Sequence, residues 1–276
     1  MLIFPNAKIN LGLNVIRKRA DGFHDLETVF YPVSIRDALE LRESLPSDTG
    51  QGCNLVVTGI EVDGSPADNI CIKAWRLLRA HHPDLPPVDM HLHKGIPTGA
   101  GLGGGSADGA FMLKALDRLF GLGISQDVMG RYALQLGSDC PFFLHNSACY
   151  AEGRGERLAP LSVGLSRYDI VIVHPRIHVS TAAAFSGIEP RMPDAKVSEV
   201  VQRPVEAWRG ALVNDFEKTV FVKHPEIRAI KERLYAGGAL YASLTGTGSA
   251  VYGIFERGEG NVADMPAHYF IRRVEG

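Results

Sequence analysis

The sequence predicts an α+β protein of two closely joined lobes. Stretches with the two-residue period of strands give way to stretches with helical period twice along the 276 residues, a glycine-rich segment marks the first such change, and no repeat or long low-complexity linker interrupts the chain.

The first strand is residues 8–15, where Ile9, Leu11, Leu13 and Val15 alternate with Lys8, Asn10, Gly12 and Asn14. That pattern reads as a half-buried strand with a polar working face. Strand-like runs follow at 28–33, 39–42, 54–58 and 88–94, the last alternating Val88, Met90 and Leu92 with Asp89, His91 and His93. Among them, residues 70–82 place Ile72, Trp75, Leu77 and Leu78 on one stripe behind Asp68 and Asn69, which predicts a capped helix. A second helix begins inside the glycine-rich segment, turns Met112, Ala115, Leu116 and Leu119 inward and ends before Gly121. A third covers 126–136 and stops at Gly137. The second half opens with a strand at 168–173 and carries a helix at 225–235 before Gly237 and Gly238. It then forms a strand at 250–255 after a turn rich in Gly, Ser and Thr.

With 45% hydrophobic and 22% charged residues, the chain has the composition of a globular protein. Its formal net charge of -2 creates no field that gathers nucleic acid or an anionic membrane, so an anionic ligand needs a local site. Clustered Lys and Arg with interleaved aromatics are missing too, which ranks a nucleic-acid-binding module last. Cys53, Cys71, Cys140 and Cys149 form no CxxC or Cys/His set of the zinc type and read as reduced thiols. No basic segment followed by an apolar run opens the chain, and no apolar stretch approaches the ~20 residues of a membrane span. The expectation is a cytoplasmic protein with a small-molecule substrate, a monomer or weak homodimer with no membrane or nucleic-acid partner.

The most informative segment is Pro97-Thr98-Gly99-Ala100-Gly101-Leu102-Gly103-Gly104-Gly105-Ser106-Ala107-Asp108, which follows a strand and opens a helix. Glycines let backbone N–H groups approach an anion closely, and the helix N-terminus adds roughly half a positive charge. The loop is suited to phosphate. It lacks the Gly-Lys-Ser/Thr of a Walker A loop and the spacing of a dinucleotide fingerprint.

This segment resembles the phosphate-binding motif of the GHMP kinases, the superfamily of galactokinase, homoserine kinase and mevalonate kinase. Residues 7–13 (AKINLGL) with Asp21-Gly22-Phe23-His24 resemble a first motif, and Leu244-Thr245-Gly246-Thr247-Gly248-Ser249-Ala250 resemble the C-terminal glycine-rich motif. The GLGGGSAD form is similar to the branch that phosphorylates a cytidine-diphosphate-linked methylerythritol on the non-mevalonate route to isoprenoid precursors. The resemblance implies a ribosomal-protein-S5-like N-terminal domain, binding ATP and carrying the chemistry; with the boundary expected near residues 155–165, it is taken as residues 1–160. The resemblance also implies a ferredoxin-like C-terminal domain over residues 161–276 that shapes the substrate site. ATP with Mg²⁺ is the implied donor.

Phosphoryl transfer to an alcohol asks mainly for positioning and for positive groups around the moving phosphate. The resemblance assigns the general base to Asp139, in Gly137-Ser138-Asp139-Cys140-Pro141, and an assisting cation to Lys8, which also helps hold Asp139 ionised. By local sequence alone Asp139 reads as an N-cap, following a helix-ending glycine and preceding Pro141. Nucleotide contacts are expected from Pro97, Gly99, Ala100, Gly101, Leu102, Gly103, Gly104, Gly105 and Ser106, with Asn69 and Lys94 beside them; the Ser106 hydroxyl is also a candidate Mg²⁺ ligand.

The acceptor is expected at Asn10, Phe23, His24, Asp139, Thr181, Phe185, Thr245 and Gly246, with Asn214 and Asp215 shaping that lobe. The phenylalanines stack on the cytosine and His24 reads its edge. The family commonly has Tyr where this chain has Phe23, so stacking survives and a hydroxyl contact does not. Two other readings are another GHMP kinase acting on homoserine or a sugar, which has no use for Phe23, His24 and Phe185, and an inactive nucleotide-binding regulator, which has no use for a base.

Overall fold

A computed structural model describes residues 1–44, 52–62, 64–262 and 264–276. The elements run β1 (Leu2–Ile3), β2 (Asn6–Lys18), β3 (His24–Arg36), β4 (Ala38–Glu43), β5 (Cys53–Gly59), α1 (Ile70–His81), β6 (Val88–Lys94), α2 (Gly104–Phe120), α3 (Gln126–Leu136) and α4 (Cys140–His145). They continue with β7 (Cys149–Gly153), β8 (Arg157–Pro160), β9 (Tyr168–His174), α5 (Thr181–Phe185), α6 (Val197–Val200), α7 (Glu217–Lys223), α8 (Pro225–Ala236), β10 (Tyr241–Leu244), β11 (Val251–Glu256) and β12 (Phe270–Glu275). None of the described helices is long and apolar enough to cross a membrane. Two compact units interleave along the chain. One is Met1–Ala7, Ile35–Ile96 and Gly103–Asn146; the other is Lys8–Ser34, Pro97–Leu102 and Ser147–Gly276.

In the first unit the sheet order is β1-β4-β6-β5, with β5 parallel to β6 and the other pairs antiparallel. The alternation of β6 works as its sequence demands: Val88, Met90 and Leu92 are buried while His91 and His93 face solvent. Helix α1 buries Cys71, Ile72, Ala74, Trp75 and Leu78, and Asn69 caps it by accepting the Cys71 amide at 2.9 Å. Helix α2 packs on α1, α3 and α4 with Met112, Leu113, Ala115 and Leu116 inward. It starts at a left-handed Gly103 and ends at a left-handed Gly121.

The second unit holds two four-stranded sheets, β2-β3-β7-β8 and β10-β11-β9-β12. Helix α8 lies against β10 and β11, and the core beneath joins Val171, Val173, Ile227, Ile230, Leu234 and Val251 to Leu13 and Val15 of β2. Strand β2 departs from the half-buried expectation. Residues 6–15 are buried without a break, so Lys8, Asn10 and Asn14 are interior groups that need partners inside the protein.

Candidate active site

The glycine-rich segment contributes to both units, and each part is held differently. In the first unit, Asp37 takes the amides of Gly95 and Ile96 at 2.6 and 2.8 Å and also accepts from Lys94 Nζ, whose other partner is Asp108 Oδ2 at 2.7 Å. The end of β6 is thereby tied to α2 at the loop's base. All three side chains are almost fully buried. Burial alone would lower the Lys94 ammonium, but Asp108 and Asp37 outweigh it and hold the group above its usual range. Burial raises the Asp108 carboxyl, with Lys94 opposing and Asp37 adding to the rise, and its Oδ1 has no hydrogen-bond partner. Lys94 was expected beside the nucleotide; its ammonium is committed to these two carboxylates, and its carbonyl accepts the Ile60 amide at 2.9 Å. Asn69 likewise spends its side-chain oxygen on the α1 cap.

At the head of α2, Gly103 makes no side-chain cap, and the Ala107 amide closes the first turn on the Gly103 carbonyl at 2.9 Å. The amides of Gly104, Gly105 and Ser106 therefore have no acceptor within the helix. A Cβ at Gly104 would lie 2.8 Å from Ile96 Cγ2, so only glycine fits there, whereas Gly105 has open space around it. This is a helix N-terminus with free donors and room for an anion.

Asp139 precedes α4 in helical conformation (φ -85°, ψ -14°) and makes no capping hydrogen bond, so the N-cap role that its position suggests is not the one its carboxylate plays. The next residue, Cys140, is buried, and burial pushes its thiol up to about 12. Helix α4 packs on α2, and a Cβ at Gly137 would lie 3.4 Å from the Cys140 sulfur and 3.9 Å from the Ser106 hydroxyl, so the Asp139 turn and the first turn of α2 meet around Gly137. Sequence reasoning saw both segments but had no signal for their meeting, because Cys140 reads there only as a spare thiol.

In the second unit, Lys8 is 3% exposed. Its Nζ donates to Asn10 Oδ1 at 2.7 Å and to the Gly101 carbonyl at 3.1 Å, and lies 5.1 Å from the centre of the Phe30 ring. Asn10, expected as a substrate contact, is a buried hub: its amide group donates to Thr28 at 3.0 Å, and its backbone N–H donates to the Thr245 hydroxyl at 3.1 Å. Thr245 is also within 3.1 Å of the Gly101 carbonyl. A Cβ at Gly101, where φ is +78°, would come 2.0 Å from the Thr245 carbonyl oxygen. The glycine-rich segment and the C-terminal motif thus touch backbone to backbone, with Lys8 hydrogen-bonded at the same point. Ala100 accepts the Ala250 amide at 3.1 Å, Leu102 accepts the Lys8 amide at 2.9 Å, and Asn214 holds the Gly246 carbonyl at 2.9 Å. Pro97 is buried and Gly99 exposed, with φ +64°.

A separate aromatic group sits in the same unit. His24 lies face to face with Phe185 (4.7 Å between ring centres, 23° between planes), and Phe185 meets Phe216 edge to face at 4.7 Å. Burial, with Lys18 nearby, lowers the His24 pKa, so the ring is neutral near pH 7, with one donor and one acceptor on its edge. Phe23 is half exposed, with the Arg154 guanidinium 4.8 Å from its ring. Thr181 is the exposed first residue of α5, next to the capping Ser180. Sequence reasoning missed Glu27, a buried carboxylate on β3 that accepts from Asn14 at 2.9 Å, from Tyr150 at 2.6 Å and from the Val197 amide at 3.2 Å. Its only signal was a charged residue inside a strand-like run.

A helix start with free amides packed beside a carboxylate turn suits a phosphotransferase of small molecules, and the chain belongs to the GHMP kinase family. Residues 69–147 match the GHMP kinases N terminal domain and residues 199–268 the GHMP kinases C terminal domain. The 4-diphosphocytidyl-2-C-methyl-D-erythritol kinase of Bacteroides thetaiotaomicron is 50% identical over 257 residues, 93% of this chain and 92% of that one. The enzyme of the same name from Porphyromonas gingivalis is 47% identical, with 92% of each chain covered. Among solved structures, a 4-(cytidine 5'-diphospho)-2C-methyl-D-erythritol kinase superposes over the full length of both chains with a TM-score of 0.79 at 29% identity. Methanococcus jannaschii mevalonate kinase shares the fold, with a TM-score of 0.68 at 13% identity, over 100% of this chain and 98% of that one.

Proposed function

We propose that this chain transfers the γ-phosphoryl group of ATP to the 2-hydroxyl of 4-diphosphocytidyl-2-C-methyl-D-erythritol, in the non-mevalonate route to isoprenoid precursors. The observation that carries the reading is the packing of α4 on α2, with Ser106 and Cys140 both beside Gly137. It supports a site in which the Asp139 turn stands near the unpartnered amides at the head of α2, where a phosphate-binding site and a base are needed together. The names borne by relatives of about half identity favour this acceptor over homoserine or a sugar.

In the reaction, Asp139 takes the proton of the acceptor hydroxyl as its oxygen bonds to the γ-phosphorus and the bond to ADP breaks. The amides of Gly104, Gly105 and Ser106 hold phosphate oxygens. Lys8, oriented by Asn10 and the Gly101 carbonyl, stabilises the negative charge that develops. Asn10 and Thr245 act by positioning Lys8 and Gly101. The neutral His24 edge reads the cytosine, and the rings of Phe185 and Phe23 supply stacking surface. Among the described residues no three His, Cys, Asp or Glu side chains gather as a metal site. The residue that would meet a Mg²⁺ ion carried by the nucleotide is Ser106, through its hydroxyl. Such an ion would supply charge neutralisation on the phosphates.

The test is ADP release from MgATP with the cytidylated methylerythritol, homoserine and galactose as separate acceptors, repeated with Asp139→Ala. Turnover of the cytidylated acceptor alone, lost in the variant, is the expected result; turnover of another acceptor instead would overturn the substrate assignment.

A further inference from the structure

The segment between β9 and α5, residues 175–180, touches the C-terminal glycine-rich motif and the start of the phosphate loop, and leads into α5. Its Ile177 carbonyl accepts the hydroxyl of Ser249, in the C-terminal glycine-rich motif. The His178 ring lies on the exposed first glycine of the phosphate loop: a Cβ at Gly99 would stand 3.0 Å from Nδ1 and 3.4 Å from Cε1. Two residues further on, Ser180 caps α5 by accepting the Ala183 amide at 3.1 Å, and α5 ends in the Phe185 that stacks on His24.

The segment's charge is one-sided. From residue 170 to residue 188 the sequence holds no Asp or Glu, while it places Arg176 and His178 on either side of the anchored Ile177. Both side chains are exposed, and neither has a carboxylate or a hydrogen-bond partner among the described residues. Arg176 also adopts φ +62°, a left-handed conformation that side-chain-bearing residues avoid and that clusters at ligand sites. Two unpartnered donors that can carry positive charge, held at the head of a phosphate loop by bonds to the neighbouring motifs, form an arrangement that recognises a phosphate oxygen.

We propose that His178, with Arg176 two residues before it, binds a phosphate group of a ligand at the start of the glycine-rich segment, and so adds a specificity-determining contact there. The inference rests on the kinase reading above. ATP and the cytidylated acceptor both carry a diphosphate, and the shared chemistry is a di- or triphosphate oxygen accepting from the imidazole and the guanidinium.

The experiment measures equilibrium binding of ADP, adenosine, the cytidylated acceptor and cytidine, together with KM and kcat, for the wild type, His178→Ala, His178→Gln and Arg176→Gly. The glycine variant suits the backbone at 176 and removes the whole side chain, guanidinium included. His178→Ala is expected to weaken one phosphate-bearing ligand about tenfold, the loss of one charge-assisted hydrogen bond. The matching nucleoside is unaffected, kcat changes less than KM, and His178→Gln recovers part of the loss. A drop confined to ADP assigns the contact to the nucleotide; a drop confined to the cytidylated acceptor assigns it to the acceptor's diphosphate. Unchanged affinity for both, or equal losses for ADP and adenosine, would overturn the proposal. Because the ADP arm uses no acceptor, failure of the substrate assignment shows separately, as a wild-type protein that does not turn over the cytidylated compound.

Discussion

Two lysines of this chain are buried to nearly the same degree, Lys8 at 3% and Lys94 at 2% exposed, and their hydrogen bonds tie them to different parts of the fold. Lys94 sits between the carboxylates of Asp37 and Asp108. Lys8 donates to the Asn10 amide oxygen and to the Gly101 carbonyl of the glycine-rich segment, and lies over the Phe30 ring. The buried ammonium between Asp37 and Asp108 serves to hold β6 to α2. The one hydrogen-bonded to the glycine-rich segment stabilises, in the proposed reaction, the charge that develops on a phosphate. Burial alone does not separate a structural charge from a working one; the segments its partners belong to do.

The largest effect expected from this contrast is on the chemistry. Asp139→Asn is predicted to lower kcat by about 10³-fold with ATP binding nearly unchanged, because the carboxylate makes no capping bond to α4. Single-turnover kinetics with an ATP-binding control check it. Close behind in energy, Lys94→Met leaves Asp37 and Asp108 buried without their cation and is expected to cost about 3–5 kcal/mol of stability in urea unfolding. A triple variant that also carries Asp37→Asn and Asp108→Asn is expected to recover much of that loss.

His174 extends the comparison to a buried group whose two ring nitrogens have no hydrogen-bond partner among the described residues. Burial, with Arg176 adding, lowers its pKa to about 4. The folded state therefore resists a proton that the unfolded chain accepts near pH 6.5. The sign follows: this contribution is complete above about pH 6.5 and is lost as the pH falls towards 4, by up to about 3 kcal/mol. Melting temperatures across that window are expected to fall more steeply for the wild type than for His174→Leu. The smallest predicted effect is at the aromatic group, where Phe185→Ala is expected to raise KM for the cytidylated acceptor about tenfold and leave KM for ATP alone.

How far the sequence could be read follows the same physics. Long elements with clear periods, such as α1, β6, α3 and α8, fall within a residue of where the pattern puts them, and Gly99 to Ser106 announce a phosphate loop by composition. Strands β7 and β8 were not visible because five and four residues hold too little alternation. Helices α5 and α6 are held by tertiary contacts more than by their own periodicity. Strand β2 was read as half-buried because Lys8, Asn10 and Asn14 are polar, and only the structure shows the hydrogen bonds that let them lie inside. For the same reason Lys94 looked like a ligand residue. Its neutralising carboxylates stand 57 and 14 positions away in sequence, a separation that local patterns do not register.

The most direct test of the account is to replace each lysine by methionine and measure transfer and unfolding side by side. The account predicts that Lys8→Met loses about 10³-fold or more in the single-turnover rate while still binding ATP, whereas Lys94→Met loses stability first. A Lys8→Met enzyme that still transfers phosphate at a near-normal rate would contradict it.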